Sequence, residues 1–175
     1  MWKAILSPDF FSTILRSATP ILFATLASAI AAKSGICNMA LEGIMLFSAL
    51  FGVIFSSLTH SAWLGLLITM VIGGLIGMIL AFFILNLKTD EILAAIAINL
   101  TATGGTVLIM VAFSGDRGVS SSIRSVSAPT VTLPLIEKIP FIGSVLSGQN
   151  VLTWLAILAV ILLHLFLYKT PLGLA

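Results

Sequence analysis

Long uncharged stretches dominate the chain and are cut by short polar punctuation. A membrane-crossing helix needs about 20 mostly apolar residues, because the hydrocarbon core is about 30 Å thick and each residue rises about 1.5 Å. Five segments satisfy this: about Phe10 to Ala32, Met39 to Leu58, Trp63 to Leu87, Ile92 to Phe113 and Val151 to Tyr168. Lys33-Ser34-Gly35 breaks the first from the second. No Asp, Glu, Lys or Arg occurs between Glu42 and Lys88, yet two spans must fit there, so Thr59-His60-Ser61 is the expected turn. Asn86 to Glu91 forms the next short polar loop. Ser114 to Asn150 is the single long polar stretch and carries Pro129, Pro134 and Pro140. Within it, Ile139-Pro140-Phe141-Ile142-Gly143 is apolar enough to lie on the membrane surface as a short helix.

The pattern inside each span says which faces meet neighbours. Pro20 is expected to kink the first span or to end a short lead-in turn. Thr13, Ser17, Ala24 and Ser28 form a small, weakly polar stripe suited to helix packing. The third span holds Gly73 and Gly77 at the spacing that lets membrane helices approach closely. In the fourth, Ala95, Asn99, Thr103 and Thr106 repeat at helical spacing.

Composition sharpens this into a class. Apolar residues make up 59% and charged residues 8%, against roughly a quarter charged in a soluble domain. The mean hydropathy of +1.23 covers the whole chain, so no large soluble domain is hidden in it. The expected fold is all-α, a polytopic bundle of about five spans forming a single transmembrane domain over 1–175. The net charge of +2 is scattered, unlike a nucleic-acid-binding stripe. A single cysteine, Cys37, excludes an intrachain disulfide. No signal peptide stands out at the start. Lys33, Lys88 and Lys169 fall in alternate connections and share one side, read as cytoplasmic. The N-terminus and the 114–150 loop then face outward.

Few residues could carry chemistry. Glu42 sits in a span, where an ionised carboxylate is expensive and must face water, a cation or the bundle interior. It either borders a translocation pathway or is a structural carboxylate helped by the positive end of its helix. Asn99, Thr103 and Thr106 either bond a polar solute or hold helices together. His164 within the fifth span reads as a neutral histidine bonding a neighbour, and Arg16 as a headgroup or acid partner. No Walker A loop, Gly-x-Ser-x-Gly or His-Glu-x-x-His occurs. No metal site and no catalytic residue is expected. An intramembrane enzyme would require Glu42 and His164 to converge; a membrane scaffold would use the polar residues for packing alone.

Several stretches resemble one family in order along nearly the whole chain. They are Ser17-Ala18-Thr19-Pro20-Ile21-Leu22-Phe23-Ala24, then Lys33 to Leu46 (KSGICNMALEGIML), then Thr89-Asp90-Glu91 with Ala97-Ile98-Asn99-Leu100. Ile139 to Gly143 with Gln149-Asn150, and Lys169-Thr170-Pro171-Leu172-Gly173-Leu174, complete the set. Together they are similar to permease subunits of bacterial ABC importers for nucleosides and simple sugars; branched-chain amino-acid permeases are more distant members. Met39-Ala40 and Cys37 depart from the family's usual small aliphatic and glycine residues. Family members are longer, with further spans after the Thr-Pro-x-Gly-Leu element, so the chain resembles their N-terminal part. The resemblance implies a plasma-membrane permease working with a second permease subunit. It also implies an extracytoplasmic binding protein, facing the 114–150 loop, and cytoplasmic ATPase subunits that bind ATP and magnesium. Asn38, Glu42, Asn99 and Thr103 are then expected near the solute path, and Lys169, Thr170, Pro171 and Gly173 on the ATPase side.

Overall fold

The computed structural model describes residues 8–36, 38–115, 123–131 and 148–170. Five helices carry most of them: α1 (Pro8–Lys33), α2 (Leu41–Thr59), α3 (Ala62–Leu85), α4 (Glu91–Ser114) and α5 (Val151–Lys169). All five are long and apolar enough to cross a membrane. The large apolar side chains they expose, such as Leu100, Leu108 and Met78, suit a surface bathed in hydrocarbon. Each helix begins and ends within two residues or so of the expected span. The expected surface helix over 139–143 lies outside the described residues.

Polar side chains and left-handed residues punctuate the helices. Asp90 caps α4, its Oδ1 accepting from the amides of Ile92 (2.9 Å) and Leu93 (3.2 Å). His60 ends α2 at φ 50°, and Gly115 ends α4 at φ 76°. Pro20 lies inside α1, which continues through it, so it does not end a lead-in turn.

The helices fall into two compact units. One combines α1 with α5, drawn from 1–33 and 128–175; the other, 34–127, holds α2, α3 and α4.

In the first unit the contacts climb both helices in the same sense. The Gln149 amide nitrogen donates to the Ser12 carbonyl (3.1 Å), Thr19 and Thr153 share a hydroxyl bond (3.1 Å), and Lys33 Nζ lies 5.5 Å from the centre of the Tyr168 ring. Helices α1 and α5 are therefore parallel. The stripe expected to pack divides: Thr13 and Ser17 are exposed, Ala24 and Ser28 are half-buried, and the buried residue of the helix is Thr19, off the stripe. A two-residue antiparallel ribbon, β1 (Thr130–Val131) with β2 (Gln149–Asn150), precedes α5.

In the second unit α2 and α3 form an antiparallel hairpin with a seam of small residues. Ser48, Gly52 and Ser56 on α2 face Gly73, Thr69 and Gly65 on α3. A Cβ on Gly65 would stand 2.7 Å from Ser56 Cβ and 3.0 Å from the Gly52 carbonyl oxygen; one on Gly52 would strike Thr69 Oγ1. The expected Gly73–Gly77 pair is half used: Gly73 meets Ser48, while Gly77 has nothing within 4 Å. Where α4 joins, Ala40, Leu80, Ala94 and Ala95 form a buried cluster flanked by Ile44, Ile84 and Ile98. Ser56 Oγ also accepts from the Val126 amide (3.1 Å), which holds residues 123–127 to this unit.

Candidate functional site: the recessed start of α2

Helix α2 is shorter than its neighbours. Its 19 residues span about 28 Å, against about 36 Å for the 24 residues of α3 and of α4. The shortfall lies at its N-terminus. Gly43 in its first turn meets Asn99, which stands roughly two turns, or about 12 Å, past the start of α4. Asn86, Lys88, Thr89 and Asp90, all exposed, form the polar loop before that start. With this loop at the water boundary, the non-helical residues Asn38, Met39 and Ala40 stand near the depth of Asn99, about 12 Å inside it.

Non-helical backbone at that depth is tolerated only where protein groups or a water-lined cavity supply its partners. The first amides of any helix also lack intrahelical acceptors, and Ala40 at the N-cap has no side chain to offer them. Two carboxamides fill the gap. Asn38 Oδ1 accepts from the Ala40 amide (3.2 Å). Asn99 serves both ways: Oδ1 accepts from the Gly43 amide (2.8 Å) and Nδ2 donates to the Met39 carbonyl (3.0 Å). Ala40, between these bonds, is fully buried. Gly43 permits the approach, since a Cβ there would lie 2.8 Å from Asn99 Oδ1 and 3.1 Å from Asn99 Cα.

Glu42 precedes Gly43 in the same turn and is exposed. A carboxylate there gains from the positive end of the helix dipole, yet it remains available on the surface of the unit. Thr103, one turn along α4 from Asn99, is also exposed, its hydroxyl donating to the Asn99 carbonyl (2.8 Å). Thr106 is buried and bonds back to the Ala102 carbonyl (2.6 Å). The α4 stripe thus divides: Ala95, Ala102 and Thr106 turn inward, Asn99 is half-buried, and Thr103 turns outward. The sequence-expected residues Asn38 and Asn99 converge on the α2 start with Glu42 beside them. Gly43, which the sequence reading passed over, completes the arrangement; a glycine in a helix's first turn next to an intramembrane carboxylate was the available signal.

A groove of about 660 Å³ on the same unit is lined by Phe47, Phe51, Ile72, Ile76, Phe83 and Ala97 among others, and by none of Asn38, Glu42, Asn99 and Thr103. Its wall is mostly apolar, with Thr89 and Thr101 as its polar side chains, and both hydroxyls already donate to backbone carbonyls, of Phe83 and Ala97. In the other unit, His164 is exposed and lies against Tyr168 one turn along the same helix (ring centres 5.1 Å apart), in place of the expected bond to a neighbouring helix. Lys169 is exposed in the last turn of α5, followed by Thr170; Pro171 and Gly173 lie outside the described residues. Among the described residues no three His, Cys, Asp or Glu side chains gather as a metal site would require.

Comparison with known proteins places this arrangement in context. The family model described as "Branched-chain amino acid transport system / permease component" matches residues 10–175. The chain is 30% identical over 164 residues to a putative glucose ABC transporter permease protein of Haloferax volcanii, covering 91% of this chain and 48% of that one. It is 30% identical over 172 residues to a nucleoside ABC transporter permease protein of Lactococcus lactis (93% and 53%). A guanosine ABC transporter permease protein of Bacillus subtilis is 28% identical over 164 residues (90% and 51%). The chain therefore spans about half the length of the curated relatives it matches. No solved structure matches it.

Proposed function

The chain belongs to the branched-chain amino acid transport system permease family, and from that premise we propose that it contributes the membrane pathway of an ATP-driven importer for a nucleoside or simple sugar. The observation that carries this reading is the family match across residues 10–175, which includes the whole recessed start of α2. The solute class follows the relatives, which are named for glucose, nucleosides and guanosine. The family description favours a second reading, a branched-chain amino acid as solute.

In this proposal Asn38, Glu42, Asn99 and Thr103 border the solute path. A carboxylate and hydroxyls at membrane depth suit a neutral solute rich in O–H and N–H donors, and repel an anion. The chain supplies no covalent chemistry. A second permease subunit, ATPase subunits that bind ATP and magnesium on the cytoplasmic side of Lys169 to Gly173, and an outer binding protein facing 114–150 complete the importer. The membrane is the bacterial plasma membrane, with the N-terminus outside.

Uptake tests this directly. The full-length permease, expressed with its ATPase and receptor in cells lacking other routes, is compared with Glu42→Ala for labelled guanosine and glucose. Loss of a charge-assisted contact with the solute lowers uptake about tenfold at equal membrane level. Full uptake by the variant would remove Glu42 from the path.

A further inference from the structure

We propose that Asn99 is a positioning residue: its carboxamide substitutes for the backbone partners missing at the recessed start of α2, and so sets where Glu42 stands. The proposal deepens the pathway reading above and rests on it only for the consequence at Glu42. The geometry of the fastening stands by itself.

Three observations carry it. First, both chemical functions of the Asn99 amide are engaged by backbone on the far side of one turn: the Gly43 amide at 2.8 Å and the Met39 carbonyl at 3.0 Å. Glu42 lies between these two anchored residues. Second, Gly43 carries no side chain where one would force Asn99 away, Cβ to Oδ1 being 2.8 Å. Third, Ala40 supplies no cap of its own, so the first turn has no local substitute for Asn99. Of the similar side chains, aspartate lacks the donor for Met39 and adds a charge beside Glu42, and glutamine places the same groups one methylene too far.

The test uses the full-length permease in lipid nanodiscs, with Cys37→Ala as background. Hydrogen exchange of the Gly43 amide reads the fastening, and exchange in the middle of α3 serves as the control for general loosening. In the same background, Glu42→Cys reports local geometry through its rate of reaction with a small charged methanethiosulfonate. Asn99→Ala speeds Gly43 exchange and changes the thiol reaction rate, each about tenfold, while α3 exchange stays unchanged. Gly43→Ala gives the same result, and the two substitutions together add little to either alone, as expected of groups that act as one contact. Asn99→Asp, which keeps the acceptor, holds Gly43 slow. If Asn99→Ala does not accumulate, Asn99→Gln gives a smaller change of the same sign.

Unchanged exchange and thiol reactivity in Asn99→Ala and Asn99→Gln, or strict additivity with Gly43→Ala, would overturn the proposal. Uptake of guanosine or glucose by the Glu42→Ala variant of the full importer, with Asn99 intact, tests the pathway reading separately. Full uptake there defeats that reading and leaves the Asn99 result standing.

Discussion

Helices α1 and α5 run side by side in one direction; α2 and α3 run in opposite directions, and the two pairs are held by different chemistry. The parallel pair meets through spaced polar contacts, Thr19 with Thr153 between the helices and Ser12 with Gln149 in the strand just before α5, each joining residues more than 130 positions apart. The antiparallel pair meets through absence: Gly52, Gly65 and Gly73 remove side chains so that backbones and small hydroxyls touch. In lipid the hydrophobic effect does not drive helices together, which leaves interhelical hydrogen bonds and close van der Waals packing as the two means of association. The α1–α5 pair shows the first and the α2–α3 pair the second. A bond tolerates small shifts in distance; a backbone contact does not. The second unit should therefore be the less forgiving of substitution.

That contrast is broken most sharply at Gly65. Gly65→Leu drives a side chain into Ser56 and the Gly52 carbonyl, and overpacking of this kind costs about 1–3 kcal/mol or more. The expected outcome is loss of the monodisperse peak in fluorescence-detected size exclusion of the full-length protein. A normal peak would mean that the seam opens easily. Thr153→Val removes one interhelical hydroxyl bond, worth about 0.6 kcal/mol on average and about 1.7 at most. Thr19 keeps its bond to the Leu15 carbonyl (2.9 Å), so nothing is left orphaned. A fall of a few degrees in melting temperature is expected; a fall as large as that of Gly65→Leu would erase the distinction between the units. The smallest effect belongs to Gly77→Ala. No atom lies within 4 Å of a Cβ there, and alanine is the better helix former by up to about 1 kcal/mol. An unchanged or slightly raised melting temperature is expected, and a marked loss would restore Gly77 to a packing role.

The spans were legible because length and hydrophobicity are properties of a segment by itself. Thus α5, expected over Val151 to Tyr168, forms over Val151–Lys169. What a face touches is not such a property. Thr13, Ser17, Ala24 and Ser28 share a face by spacing, but the partner for α1 is a helix far along the chain; it leaves Thr13 and Ser17 exposed and bonds Thr19, off that face. The Gly73–Gly77 motif failed for the same reason: two glycines state that a close approach is permitted, and Ser48 takes up only one of them. Asn99 shows both sides of this. Its spacing left a polar solute or a neighbouring helix as its partner, and it does hold a neighbouring helix, but through backbone groups of Met39 and Gly43, which no side-chain pattern can announce. The ribbon of Thr130–Val131 with Gln149–Asn150 has two residues per strand, too few for an alternating period to register.

The pairing of α1 with α5 carries a cost in time. Thr19 and Thr153 are 134 residues apart, and at ribosomal speed that interval is on the order of ten seconds. Through it the nascent α1 waits in the bilayer while three other helices are made. Its one buried hydroxyl endures the wait because the donor already has a home on Leu15, in its own helix. The α2–α3 hairpin, joined through His60 and Ser61, faces no such interval, because its contacts are local.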